Sequence, residues 1–172
     1  GKSTMVLQYV KTQISDCKVL YISADHTFFT THTLVEVADD FSKEAGSLLV
    51  IDEVHKYPDW SRELKQIYDT HPDMKVIFTG SSVLDIIDGV ADLSRRVLHY
   101  TMYGLSFREY LGLFHHLSVP KYSLEEILDG KAHIEGMLHP LPAFREYLSA
   151  GYYPFAIEGD FPLRMQNVIT KT

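Results

Sequence analysis

Leu48-Leu49-Val50-Ile51-Asp52-Glu53 sets four uninterrupted apolar residues directly against two carboxylates. A strand with one wet face alternates apolar and polar residues, whereas a strand covered on both faces is apolar throughout. "LLVI" is therefore expected to be an interior strand of a parallel sheet, with Asp52 and Glu53 at its carboxyl end. Two further runs share this character, "KVLYIS" (18–23) and "MKVIFTG" (74–80), and "RVLHYTMY" (96–103) is a fourth strand candidate.

Helical spacing separates these runs. "TMVLQYVKTQI" places Met5, Val6, Tyr9, Val10 and Ile14 on a 3.6-residue period. "TTHTLVEVADDFSKEAG" predicts a helix with a threonine cap and a stop at Gly46. "PDWSRELKQIYD" predicts another, with Pro58 near its first turn, and "SSVLDIID" a further one closed by Gly89. Strands alternating with helices give an α/β fold, a parallel sheet flanked by helices. From Gly104 onward the pattern turns mainly helical, which divides the chain into 1–104 and a lid-like region, 105–172.

In such sheets ligands gather outside the carboxyl ends of the strands. Asp25 follows the first apolar run, Asp52-Glu53 the second, and Thr79-Gly80-Ser81-Ser82 the third. Upstream, the chain opens on Gly1-Lys2-Ser3-Thr4, the closing half of the phosphate-binding pattern G-x-x-x-x-G-K-[ST], at the start of the first predicted helix. Backbone N–H groups and the helix dipole at such an N-terminus attract phosphate oxygens. Lys2 adds a charge able to reach the β- and γ-phosphates, and the Ser3 hydroxyl is a hard ligand of the kind Mg²⁺ takes. Asp52 is placed to hold Mg²⁺ as well, and Glu53 to accept a proton from a water aimed at the γ-phosphate. Each piece alone could be a helix cap; their order along one chain favours the nucleotide site.

Composition bounds the rest. The 172 residues suit one domain or one domain plus part of another. The net charge of −7 gives no support to nucleic-acid binding, which draws its affinity from Lys and Arg on phosphates. No apolar run spans a bilayer, and Cys17, the single cysteine, fits a reducing cytoplasm. The nine histidines form no metal-ligand pattern; His115 and His116 are adjacent and diverge by about 100° on a helix. "FREYL" occurs at 107–111 and 144–148, but the flanks do not align, so shared helix grammar explains it better than a repeat.

The ordered set "GKST", "LLVIDEVHKYPDW", "VIFTGSS", "DLSRRV", "GLSFREYL" and "YLSAGYYP" resembles an AAA+ ATPase of the prokaryotic group whose core precedes a C-terminal domain of unknown function. The resemblance runs from Gly1 to about Pro154. It implies ATP and Mg²⁺ as cofactors, with Gly1, Lys2, Ser3 and Thr4 on the phosphates. It also implies Ser3 and Asp52 at the metal, and Glu53 as catalytic base. Ser81 becomes the γ-phosphate sensor, with Ser82 and Thr79 as competitors, and Arg96 (or its neighbour Arg95) a candidate arginine finger for the same or a neighbouring site. A protein partner engaged through the C-terminal domain and a homo-oligomer follow from it too. An ATP-gated binding scaffold with little turnover is the alternative, and a DNA-remodelling ATPase a weaker one. The pattern departs from the family at Arg95, Ala150 and Gly104, where glycine, glycine and proline are usual. Gly1 falls inside the phosphate motif, so residues 1–172 alone are expected to bind ATP poorly and to be inactive.

Overall fold

The computed structural model describes residues 1–80, 93 and 96–170. The chain forms two compact units, Gly1–Tyr100 and Thr101–Thr172.

In the first unit, α1 (Lys2–Gln13), β1 (Val19–Ser23), α2 (Leu34–Lys43), β2 (Leu48–Asp52), α3 (Trp60–Thr70) and β3 (Lys75–Phe78) follow in order. The strands pair in parallel as β1-β2-β3, with Val19 opposite Leu48, Ser23 opposite Asp52, and Ile51 opposite Phe78. Every residue of β2 is buried, as its unbroken apolar run predicts. Its side chains alternate between two layers. Leu49 and Ile51 pack with Leu34, Ala38 and Phe41 of α2 and with Trp60, Leu64 and Ile67 of α3. Leu48 and Val50 face the other way, onto Val6 and Val10 of α1. The expected α/β sheet with helices on both faces is therefore present.

Local chemistry sets the helix ends. Thr33 and Glu36 form a reciprocal capping box at the start of α2, with Glu36 N–H on Thr33 Oγ1 at 3.1 Å and Thr33 N–H on Glu36 Oε2 at 2.9 Å. At its other end the helix stops just before Gly46, as the sequence suggests, with Ala45 the left-handed residue, φ +59°. Gly46 is needed for space, since a Cβ there would collide with the Phe41 ring. Pro58 lies just outside α3, before its N-cap Asp59.

One expected strand is absent. Residues 97–103 adopt no ladder pairing, and Leu98, Tyr100 and Tyr103 are exposed. Their β-branched and aromatic composition fits a pleated surface, but propensity makes a strand only where a partner edge accepts the hydrogen bonds. The helix expected over "SSVLDIID" lies outside the described residues.

The second unit is mainly helical: α4 (Phe107–His115), α5 (Leu124–Leu128), α6 (Pro140–Glu146) running into a π-turn at Tyr147–Gly151, then α7 (Phe161–Thr170). The two FREYL segments meet here. Phe107 packs edge-to-face on Phe144 with centroids 5.0 Å apart, and Tyr110 lies 5.5 Å from Tyr147. Leu105 N–H donates to Tyr152 C=O at 2.8 Å, and Tyr147 OH donates to Leu105 C=O at 2.8 Å. The GLSFREYL and YLSAGYYP stretches are thus two halves of one packed unit.

Candidate functional site

The parallel register carries the site. Tyr21 stands opposite Val50 and Ser23 opposite Asp52, so Tyr21, Val50 and Asp52 share the sheet face covered by α1. Asp52 is buried at 5% exposure, the last residue of the most buried strand. Removal from water raises a carboxyl pKa, yet the Asp52 carboxylate is held below its ordinary value. Hydrogen bonds from Ser3, Thr79 and Tyr21 and from the Glu53 N–H outweigh the burial. Thr79 Oγ1 donates to Oδ1, and Tyr21 OH donates to Oδ2 at 2.6 Å. The Tyr21 phenol is correspondingly pushed up to about 12, by burial first and by the Asp52 bond second.

The Ser3–Asp52 contact joins the two ends of the predicted constellation. Ser3 lies in the first turn of α1, whose N-cap is Gly1 and whose first residue is the half-buried Lys2; Thr4 follows, exposed. Val6 and Val10 anchor this helix on Leu48 and Val50 of β2, which brings its N-terminus to the carboxyl end of that strand. Asp52 and Ser3 together offer two hard oxygen ligands at a site that retains negative charge. Among the described residues no cluster of three or more His, Cys, Asp or Glu is placed to hold a metal. Two protein oxygens suit Mg²⁺, which keeps waters and takes phosphate oxygens for the remaining positions, so the residues present fit that ion.

Glu53 directly follows, with a left-handed backbone, φ +56° and ψ +40°. That conformation costs a non-glycine residue roughly 1–2 kcal/mol. Thr79 holds it in place: Glu53 N–H donates to Thr79 Oγ1 at 3.3 Å, and Val54 N–H to Thr79 C=O at 2.9 Å. The Glu53 carboxylate lies 3.5 Å from Nε2 of the largely buried His55 side chain. It is thereby turned out of the strand line at the tip of the sheet, partly open to solvent.

The remaining assignments separate. Thr79, a competitor for the sensor role, has its hydroxyl engaged by Asp52 and Glu53 and acts as a clamp on both. Ser81, Ser82 and Arg95 lie outside the described residues. Asp25 accepts from Ser23 Oγ at 2.6 Å and caps the strand end. Arg96 makes a two-pronged ion pair with Asp69, Nε to Oδ1 at 3.0 Å and Nη2 to Oδ2 at 3.3 Å, with its guanidinium over the Tyr68 ring. Since β2 and β3 are parallel, α3 runs back between them, and Asp69 near its end lies at the sheet edge opposite Asp52. Eleven residues of helix separate the two edges by about 16 Å. The structure therefore does not bring Arg96 to the carboxyl end of its own sheet, where Asp52 and Glu53 lie.

Sequence reasoning missed Tyr21, His55 and Glu63. Glu63 of α3 accepts from Leu34 N–H at 2.8 Å and Val35 N–H at 3.3 Å, and from Tyr57 OH at 2.8 Å. It thus caps α2 from a different helix. Tyr21 announces itself only through β1–β2 register, which no motif encodes.

The profile of the AAA domain family matches residues 1–111, well over half of the chain. An uncharacterized protein of Methanocaldococcus jannaschii is 31% identical over 177 residues, covering 93% of this chain and 37% of the relative's length. The chain thus spans little more than a third of that relative. No solved structure matches it significantly. No helix among the described residues is long and apolar enough to cross a membrane. The matched span takes in the GKST turn, the sheet and the Asp52-Glu53 tip, and on that basis the chain belongs to the AAA domain family.

Proposed function

We propose that the full-length protein is a Mg²⁺-dependent ATPase, with the nucleotide phosphates bound over the α1 N-terminus and the tip of β2. Family membership supports nucleotide binding. The observation that carries the finer reading is the packing of α1 on β2 through Val6, Val10, Leu48 and Val50, which sets the Gly1–Thr4 helix start at the end of the sheet where Asp52 is buried and held ionised. Gly1, Lys2, Ser3 and Thr4 present N–H groups and one ammonium to the β- and γ-phosphates. Ser3 and Asp52 would hold Mg²⁺, which supplies charge neutralisation between the phosphates. Glu53 accepts the proton of a water whose oxygen attacks the γ-phosphorus as the bond to the β–γ bridging oxygen breaks, giving ADP and phosphate. Ser81, at the tip of β3 in sequence, is the proposed γ-phosphate sensor.

Arg96, facing away from its own phosphate site, is proposed to act on a neighbouring copy in a homo-oligomer. Hydrolysis would move the helical region after residue 100 and a C-terminal domain that binds a protein partner. The test is calorimetric titration of the full-length protein with ATPγS, with and without Mg²⁺. The reading expects Mg²⁺-dependent binding that Lys2→Ala abolishes. Binding indifferent to both the metal and Lys2 would overturn it.

A further inference from the structure

Among the described residues, the α1 side of the sheet is lined mostly by apolar side chains. Val6, Val10, Leu48 and Val50 are buried there, with Cys17, Val19, Tyr21 and Ile77 packed against them. A phenylalanine ring at position 21 would serve that packing. The tyrosine instead carries a hydroxyl into the layer and delivers it to Asp52 Oδ2 at 2.6 Å.

What that hydroxyl accomplishes follows from the torsional freedom of aspartate. Rotation about Cβ–Cγ is soft, with a broad distribution instead of sharp staggered wells. A single donor on one oxygen leaves the carboxylate plane free to swing about it. Thr79, just past the end of β3, holds Oδ1 and Tyr21 of β1 holds Oδ2, so the chain on both sides of β2 fixes the plane. Each oxygen keeps a further lone pair with which to meet a cation.

We infer that Tyr21 is a positioning residue for the metal-bound nucleotide, locking the orientation in which Asp52 receives the cation beside Ser3. The inference rests on the proposed Mg²⁺–nucleotide site. Hydrogen-bond partners of metal ligands typically contribute about 10- to 100-fold in metal affinity. Tyr21 does not touch nucleotide, so its removal should act on the metal and leave metal-free nucleotide binding alone.

Tyr21→Phe in the full-length protein tests this, with Mg²⁺ titrated at fixed fluorescent ADP and nucleotide binding in EDTA as the control. The expected result is a half-saturating Mg²⁺ concentration raised by about 10-fold, with binding in EDTA and the nucleotide-saturated Asp52→Asn background unaffected by the change at position 21. A merely structural tyrosine would lower the melting temperature and leave the Mg²⁺ midpoint where it was; that outcome sinks the inference while the ATPase reading stands. If wild-type binding shows no Mg²⁺ dependence at all, both fall together. A second measurement needs no variant. With the Cζ carbons of all eleven tyrosines labelled, adding Mg²⁺ to the ADP-bound protein should shift the resonance of the half-buried Tyr21, because the cation draws charge from the carboxylate that the phenol bonds. If no tyrosine responds to the metal, the inference is wrong.

Discussion

Glu53→Gln removes the proposed proton acceptor and its charge beside His55 while sparing the backbone contacts at the tip of β2. The turn is set by backbone contacts: Glu53 N–H on Thr79 Oγ1, Val54 N–H on Thr79 C=O, and Lys56 N–H on Glu53 C=O. None of these uses the carboxylate, so glutamine should keep the left-handed turn and the same reach past His55. What disappears is an oxygen basic enough to take a proton from the attacking water. Loss of general-base help costs about 10²- to 10⁴-fold in rate, or roughly 3–5 kcal/mol of barrier. Binding of Mg²⁺–ATP should hold or tighten, since one negative charge near the γ-phosphate has gone. Asp52→Asn should contrast with it, because Asp52 is a buried ionised group whose charge would meet the cation. There Mg²⁺-dependent binding and turnover should fall together. Steady-state phosphate release and ATPγS calorimetry on the full-length protein read both quantities. Wild-type turnover in Glu53→Gln would show that Glu53 only shapes the turn, and would favour a nucleotide-gated scaffold.

Glu63→Ala leaves the first two N–H groups of α2 and the Tyr57 hydroxyl without their acceptor; a loss of roughly 2–4 kcal/mol is expected by urea denaturation, and less than half of that would mean water replaces the carboxylate. The Tyr21 and Tyr57 phenols are both pushed up to about 12, by burial first and by Asp52 and Glu63 next. Because the folded state holds the proton more tightly, this stabilisation is complete below the ordinary tyrosine pKa and is lost as pH rises through 12. Denaturation midpoints should fall from pH 10 upward, and Tyr57→Phe should flatten the fall; an identical slope in the variant would refute the assignment. Arg96→Ala should cost about 1 kcal/mol or less, as its ion pair with Asp69 is partly exposed. If Arg96 serves a neighbouring copy, the variant should lose turnover, keep ATP affinity, and recover some activity when mixed with Lys2→Ala; no recovery in any mixture would remove the role in trans.

The sheet was legible because burial on two faces leaves an unmistakable composition. "LLVI" has no polar residue, and β2 proves to be the central strand with nothing exposed. "VLHYTMY" has the same kind of residues and forms no strand, since pairing is a property of a neighbouring edge and not of the run itself. Likewise the two FREYL segments read as independent amphipathic turns, whereas they pack ring on ring. Gly151 shows why their surroundings matter: a Cβ there would stand 2.5 Å from the Tyr110 ring and 2.8 Å from Tyr147. The glycine of the YLSAGYYP stretch thus serves the packing of the first FREYL segment, 40 residues earlier in number.

The site divides along the same line. Lys2, Ser3, Asp52 and Glu53 could be named as candidates from sequence because each sits at a strand end or helix start, and those positions follow from the local pattern. Their supports could not, because they act across strands. Thr79 looks like one of three interchangeable hydroxyls in "TGSS", yet its hydroxyl bonds both Asp52 and the Glu53 backbone. Tyr21 looks like a half-buried strand residue until the β1–β2 register sets it diagonally across from Asp52. Arg96, chosen from its place in the motif order, is carried by α3 packing to Asp69 at the far edge of the sheet. A motif therefore proposes which groups would meet a ligand, while the strand register decides which groups hold them still, and only the second requires the fold.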